Sequence, residues 1–431
     1  MLESFFKLKE HGTDVRTEVL AGFTTFLTMA YIIFVNPLIL SKTGMDFNAV
    51  FVATCLAAAL GCAIMGLVAN YPMALAPGMG LNAYFTYSVV LGSPGVTWQV
   101  ALGAVFLSGI IFLAVSLFKV REAIVNAIPQ SLKFAISAGV GLFLGIISLK
   151  SAGLITGSPA TLVTLGDIHA PSTLLAIFGF FLIVALEYRR VHGSIIIGIL
   201  AVTVLSVVLG LSEFKGVFSA PPSLAPTFMQ MDLGGALNVG LLGVVFVFFF
   251  VDLFDTTGTL VGVSHRAGLL DKDGKLPRLK RALMADSVAI VAGAAMGTSS
   301  TTAYVESAAG TAVGGRTGLT ATVVAILFLV ALFLAPLANS IPPYATAPAL
   351  CYVAVLMARG LAEIAWDDLT EAAPAVVTAI AMPFTFSIAD GIAFGFISFV
   401  VIKLLAGRFS DLRPAVVIIA ALWLMKFAFF H

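Results

Sequence analysis

From Phe47 to Phe118 the chain contains no Asp, Glu, Lys, Arg or His. A helical bilayer crossing takes about 20 apolar residues, so this one stretch has room for three crossings, and no water-soluble domain could hide it. A second uncharged stretch, Thr317 to Ala358, accommodates two more. Across all 431 residues only 10 % are charged and 60 % are hydrophobic, against about 25 % charged in an ordinary globular protein. The chain therefore reads as an all-α polytopic membrane protein.

The few charges are informative by position. A net charge of +1 excludes a nucleic-acid partner and a basic tail that clings to acidic lipid. Cys55, Cys62 and Cys351 all lie inside apolar segments and form neither a CxxC pattern nor a disulfide framework, so no metal, no redox chemistry and no cofactor is expected. The N-terminal stretch mixes Lys7, Lys9 and Arg16 with Glu3, Glu10 and Asp14 and leads into no cleavable signal, as a cytoplasmic lead-in would.

Apolar windows between polar punctuation number fifteen, from 19–40 and 48–69 to 391–406 and 412–430. With the N-terminus cytoplasmic, the basic residues fall in the loops after even-numbered segments: Lys119, Arg121 and Lys133; Arg189, Arg190 and His192; the run from Arg266 to Arg281; Arg316; Arg359; Arg408 and Arg413. Only Lys42, Lys150 and Lys215 oppose that asymmetry, which sets the orientation. The two halves also match one another. Asn36 in the first segment answers to Asp255 in the eighth, and Asn82 in the third answers to Glu306 in the tenth, at nearly the same offset along the chain. Seven segments followed by seven, an odd number, must insert the second half upside down, giving a seven-plus-seven transmembrane inverted repeat. Segment 412–430 falls outside the repeat, as a fifteenth crossing or an interfacial helix.

Ionisable groups deep in lipid cost about 2.5–3.5 kcal/mol each and tend to face a cavity. Asp252, Asp255, Asp286 and Glu306 are the candidates. Asp252, Asp255 and Thr259 are spaced i, i+3, i+7 on one long helix and share a face, which lines a site or else a helix contact or vestibule. Asp286 closely follows Arg281, near the cytoplasmic end of its segment, where snorkelling or ion pairing competes with a coupling role. Glu306 follows the small polar run Gly297-Thr298-Ser299-Ser300-Thr301-Thr302-Ala303. About fourteen residues of helix after Thr302 cannot span, so non-helical backbone must enter the membrane there, as it must at the breaker Ala76-Pro77-Gly78-Met79-Gly80. Two half-helices starting near the midplane would turn their positive ends towards a common centre, a site for a polar, carbonyl-bearing or anionic solute. Asn82 belongs there; Asn36, beside Pro37, reads as an interhelical hydrogen-bonder. Tyr31, Phe254 and Tyr304 are near enough to the polar positions to stack on a planar ligand.

These stretches carry a resemblance. Ala21-Gly22-Phe23-Thr24-Thr25-Phe26-Leu27-Thr28-Met29-Ala30-Tyr31 with Asn36-Pro37, Ala76 through Ala83, Asp252-Leu253-Phe254-Asp255-Thr256-Thr257-Gly258-Thr259, and Glu306-Ser307-Ala308-Ala309-Gly310 through Thr320 resemble the azaguanine-like purine permease branch of the nucleobase/ascorbate transporter family. The resemblance implies core and gate domains. Residues 1–118 and 236–340 (helices 1–4 and 8–11) would form the core; 119–235 and 341–431 (helices 5–7 and 12–14, with 412–430) would form the gate. It also implies short antiparallel strands breaking helices 3 and 10, and transport of nucleobases with protons. Carried over by motif, the acidic positions of the eighth and tenth helices fall on Asp255 and Glu306. Uracil relatives carry Glu in the eighth helix and a His one turn later; Asp255 and Thr259 stand here and favour a bicyclic purine.

The expectation is a secondary active transporter, not an enzyme, that imports hypoxanthine, guanine or adenine by proton symport across the plasma (inner) membrane. Glu306, Asp255, Asn82, Thr259, Phe254, Tyr31, Gly80 and Ala303 would bind the base, and Asp255, Glu306 and Asp252 would couple the proton. Membrane lipid surrounds the chain, and a homodimer is compatible with it. Two other classes compete. An anion or other small-solute carrier on the same plan would normally place Lys or Arg at the site, and neither deep centre has one. An intramembrane aspartyl hydrolase could use Asp255 with Glu306 but would need no repeat.

Overall fold

A computed structural model describes residues 2–117, 128–159, 161–238, 242–270 and 276–429. The predicted Lys119 and Arg121, part of the 266–281 basic run and the expected 118/119 boundary lie outside the described residues.

The first crossing is two helices, α1 (Val15–Met29) and α2 (Ile32–Leu40), where the apolar window 19–40 reads as one. At the break the chain tightens through three-residue bonds, Ile33 N–H to Ala30 and Phe34 N–H to Tyr31, and Pro37, inside α2, leaves the Ile33 carbonyl without its usual helical donor. Asp14 caps α1 through the Thr17 amide, and Asp46 caps α3 (Phe47–Ile64) through that of Ala49. The third crossing starts with strand β1 (Leu75–Pro77) and continues as α4 (Met79–Ala83) and a π-helical stretch, Tyr84–Val90. α5 (Trp98–Leu117) completes the first four crossings. α6 (Gln130–Ser151), an external hairpin β2 (Ile155–Ser158) and β3 (Leu162–Leu165), α7 (Pro171–Tyr188) and α8 (Ser194–Val208) complete the first seven.

The second half repeats this order. α9 (Leu242–Arg266) and α10 (Leu279–Met296) precede strand β4 (Thr301–Ala303), which leads into α11 (Ser307–Val313). α11 has 7 residues, half the helix expected after Thr302, because the chain stays extended to Ala303 and turns at Tyr304 before entering it. α12 (Gly318–Ala331), α13 (Pro343–Ala358), α14 (Leu369–Thr385) and α15 (Ile388–Leu405) follow.

Packing divides the helices into two sets. α1, α3, α5, α10, α11 and α12 pack on one another, and α6, α7, α8, α13, α14 and α15 form the second set. The final helix, α16 (Pro414–Phe429), runs antiparallel along α15. Phe427 stacks on Phe394 with ring centroids 5.5 Å apart, and Trp423 meets Phe246 of α9 at 6.1 Å. Its buried residues Val416, Ile419, Ala420 and Trp423 follow the helical period. One face of this helix is therefore packed against α15 and α9.

Candidate functional site

The site is built on the two places where helix is interrupted inside the apolar layer. β1 and β4 pair antiparallel, Leu75 opposite Ala303, Ala76 opposite Thr302 and Pro77 opposite Thr301. Extended backbone this deep must find its hydrogen bonds within the protein. Gly78 N–H donates to the Ser300 carbonyl at 2.9 Å and Tyr304 N–H to the Ala74 carbonyl at 2.9 Å. The Ala74 amide donates to Ser307 Oγ at 3.0 Å, and the Tyr304 phenol to the Pro77 carbonyl at 2.6 Å. Pro77 sits at the strand end, where its missing N–H leaves no gap in the ladder.

Glu306 is the N-cap residue of α11. Its carboxylate Oε1 accepts the phenolic hydrogen of Tyr31 at 2.7 Å. Tyr31 stands at the α1–α2 break, and from there its ring reaches the tenth crossing. Asp255 on α9 lies within electrostatic reach of Glu306 and Tyr31 and beside Thr302 of β4. The four candidate acids separate by accessibility. Glu306 and Asp255 are half-buried, whereas Asp252 and Asp286 are buried. Asp255, Gly258, Thr259 and Gly262 form one stripe of α9 at helical spacing, none of them buried, and a methyl group built on Gly258 or Gly262 would meet nothing within 4 Å. The carboxylate pair thus continues into open space along α9 towards its C-terminal end.

The other predicted residues divide. Asn82 is buried, its Oδ1 accepts from Ser299 Oγ, and its Nδ2 has no partner among the described residues, leaving both N–H donors of the amide for a ligand or water. Ala303 presents backbone at the strand pair while its methyl group joins an apolar cluster with Leu75 and Leu260. Gly80 faces the second helix set: a Cβ there would stand 2.4 Å from Val140 Cγ1 of α6. The Phe254 side chain lies outside the described residues. Asn36 donates to Thr54 at 2.7 Å and to Thr298 at 2.9 Å, as an interhelical hydrogen-bonder should. For Asp286 the sequence leaves snorkelling, ion pairing and coupling open, and burial removes the first. The residue sits two turns into α10 with no exposure and accepts from the Thr256 hydroxyl at 2.9 Å. Thr256 also lies 2.8 Å from Thr302. Neither threonine stands out in the sequence, although both neighbour residues that do.

A surface cleft of about 520 Å³ beside the β2–β3 hairpin, lined by Lys150, Asp167 and Thr173, shares no residue with this site.

Known proteins match the chain over nearly its whole length. The sequence model of the permease family (Xan_ur_permease) matches residues 16–394. The chain is 53 % identical to adenine permease AdeP of Escherichia coli K12, over 100 % of this chain and 96 % of that protein. It is 47 % identical to guanine/hypoxanthine permease PbuG of Bacillus subtilis, over 99 % and 100 %. Its fold is that of the transmembrane domain of the cyanobacterial bicarbonate transporter BicA, at TM-score 0.66 and 17 % identity, over 87 % of this chain and 96 % of that one. That likeness establishes a seven-plus-seven inverted repeat with core and gate.

Proposed function

The chain belongs to the permease family, and from that premise we propose that it is a purine nucleobase permease, taking adenine or guanine and hypoxanthine, that imports its base together with a proton by alternating access. The relatives that span its whole length are named for those bases. The observation that carries the reading is the pairing of Tyr31 with Glu306 at 2.7 Å next to Asp255, at the mouth of two interrupted helices.

In this mechanism Glu306 accepts N–H donors from the edge of the base, held in place by the Tyr31 phenol. The Asn82 amide and the backbone of Ala303 meet carbonyl and ring nitrogens, while Thr259 closes the pocket on the α9 side. Phe254, next to Asp255 in the chain, is the aromatic candidate for stacking on the purine. A planar purine has several donors and acceptors on its rim. A site that answers each one rejects an analogue missing one, because a buried group would then be left unpaired. Asp255, with Asp252 one turn further along, carries the proton. Two carboxylates this close repel when both are ionised, so proton uptake at one favours base binding at the other. Their roles are exchangeable on geometry alone.

Residues 1–118 and 236–340 act as the core, and 119–235 and 341–431 as the gate, in keeping with the two packing sets. Gly80 against Val140 and the hydrogen bond from Ser88 Oγ to the Phe386 carbonyl at 2.9 Å lie at the surface between them. The open stripe on α9 corresponds to an inward-facing state, with the N-terminus cytoplasmic in the plasma (inner) membrane. The test is uptake of radiolabelled adenine, hypoxanthine and guanine in cells lacking endogenous purine uptake. Saturable accumulation that a protonophore collapses and sodium removal leaves intact is expected; accumulation that survives the protonophore removes proton coupling.

A further inference from the structure

We infer that Glu18, at the far end of α1 from Tyr31, is a positioning residue that sets the register of the first crossing against the tenth and so places Glu306 opposite Tyr31. Glu18 has no exposed surface. Its carboxylate accepts the Arg316 amide at 2.8 Å, the Thr317 amide at 3.2 and 3.3 Å, the Thr320 amide at 3.1 Å and the Thr320 hydroxyl at 2.6 Å. These are donors at the entry to α12, where backbone N–H groups have no intrahelical partner and the helix end is positive. Asn70 Oδ1 takes the neighbouring Gly318 amide at 2.6 Å. A buried carboxylate is therefore satisfied almost wholly by one short piece of another crossing.

That piece directly follows α11, the helix that begins at Glu306. The Arg316 guanidinium folds back on the end of α11, donating to the Thr311 carbonyl at 2.6 Å and to its neighbour Gly315 at 2.8 Å. α11 and the loop after it run antiparallel to α1 in close contact. A Cβ on Gly310 would stand 2.1 Å from Thr25 Oγ1 and 2.7 Å from the Ala21 carbonyl, and one on Gly314 would stand 2.8 Å from Thr17 Cγ2. The two ends of this zipper are polar: Tyr31 with Glu306 at one, Glu18 with residues 316–320 at the other. Between them the two segments meet closely through small residues and backbone, with no charged side chain on either. Glu18 is the group that fixes their register.

A displacement of about 1 Å can cost up to about a hundredfold in a positioned reaction, so the effect should read in substrate affinity as well as in folding. The kinetic arm of the test rests on the purine-transport reading; the exchange arm does not. In proteoliposomes holding the full chain, Glu18→Gln is expected to raise the adenine KM roughly ten- to a hundredfold at parental folded yield. Combined with Tyr31→Phe it should be no worse than alone, since the pair it positions is already parted. Hydrogen–deuterium exchange over residues 304–313 should accelerate while residues 171–188 stay unchanged. Should Glu18→Gln fail to fold, Thr320→Val, which removes one donor, carries the same pattern at smaller size. Effects that multiply in the double variant, or a loss of melting temperature with KM and exchange at 304–313 unmoved, overturn the assignment. If the parent chain moves no purine, the functional reading fails by itself, and unchanged exchange in the variant still decides against Glu18.

Discussion

Tyr31 donates to Glu306 across 2.7 Å, and the two residues come from opposite halves of an inverted repeat. A hydrogen bond to a charged acceptor contributes about 1.5–3 kcal/mol, and here it orders a carboxylate that must meet a planar ligand. Tyr31→Phe should therefore weaken purine binding by roughly ten- to a hundredfold while leaving the packed ring in place. Glu306→Gln and Asp255→Asn should each abolish uptake. Equilibrium binding of labelled adenine to purified protein separates the outcomes: a Tyr31→Phe variant with parental affinity would detach Tyr31 from the site.

The stripe Asp255, Gly258, Thr259 and Gly262 looks onto open space, whereas Leu260 between them is buried. Thr259→Cys and Gly262→Cys should react with a membrane-impermeant thiol reagent applied from the cytoplasmic side, and saturating adenine should slow the reaction of Thr259→Cys. Leu260→Cys should stay silent. Background is low, because Cys55 and Cys62 are buried, and Cys351 can be replaced by Ser. Labelling from the external side alone would reverse the orientation of the opening.

Gly80 is expected from the sequence to approach the base, yet its Cα hydrogen faces Val140. If its service is to let core and gate slide closely, Gly80→Ala should slow transport several-fold, and Val140→Ala in the same chain should restore much of it by vacating the space the new methyl group needs. Adenine affinity should change little in either variant. A Gly80→Ala protein with strongly weakened binding that Val140→Ala fails to rescue would return the glycine to the ligand.

Much of this architecture was legible because its causes are local. Pro77-Gly78 and the polar run before Glu306 cannot continue a helix, and their equivalent places in the repeat put both breaks in one layer; that the two runs pair as antiparallel strands is what the resemblance implies, and β1 pairs with β4. Asn36 and Asp255 show what the repeat conceals. They occupy equivalent places, but one is a buried amide bonded to Thr54 and Thr298 and the other a half-buried acid beside the site. Symmetry preserves position and not chemistry. The Thr256–Asp286 bond depends on how α9 and α10 are rotated against each other, which apolar segments with so weak a polar face leave open. Glu18 lies in the first turn of α1, yet in the fold its carboxylate serves the start of another helix, α12. Tyr31 reads in sequence as a stacking ring, and its place at the α1–α2 break adds its role as a donor.

At the turn between α15 and α16, Lys403 is buried against Glu371 at 2.7 Å and Asp411 at 3.0 Å, while Arg408 pairs with Asp368 at the start of α14. The Thr370 hydroxyl and then the Arg408 guanidinium hold the Asp368 carboxyl down at about 2, below the value near 3.9 of an unfolded Asp. Lys403 likewise depresses that of Asp411. A carboxylate with a lowered folded-state value stabilises the fold above its unfolded value, and that contribution is lost as the pH falls through the folded one. Melting temperature in detergent should accordingly fall between about pH 4 and pH 2, and Asp368→Asn should flatten that slope while changing little near neutrality beyond the loss of one exposed pair. Because this cluster sits on α14, α15 and the turn before α16, whereas Asp255 and Glu306 lie on α9 and at the start of α11, adenine protection against thermal unfolding should survive in Asp368→Asn. A variant that melts normally but no longer gains from adenine would tie the cluster to the site after all.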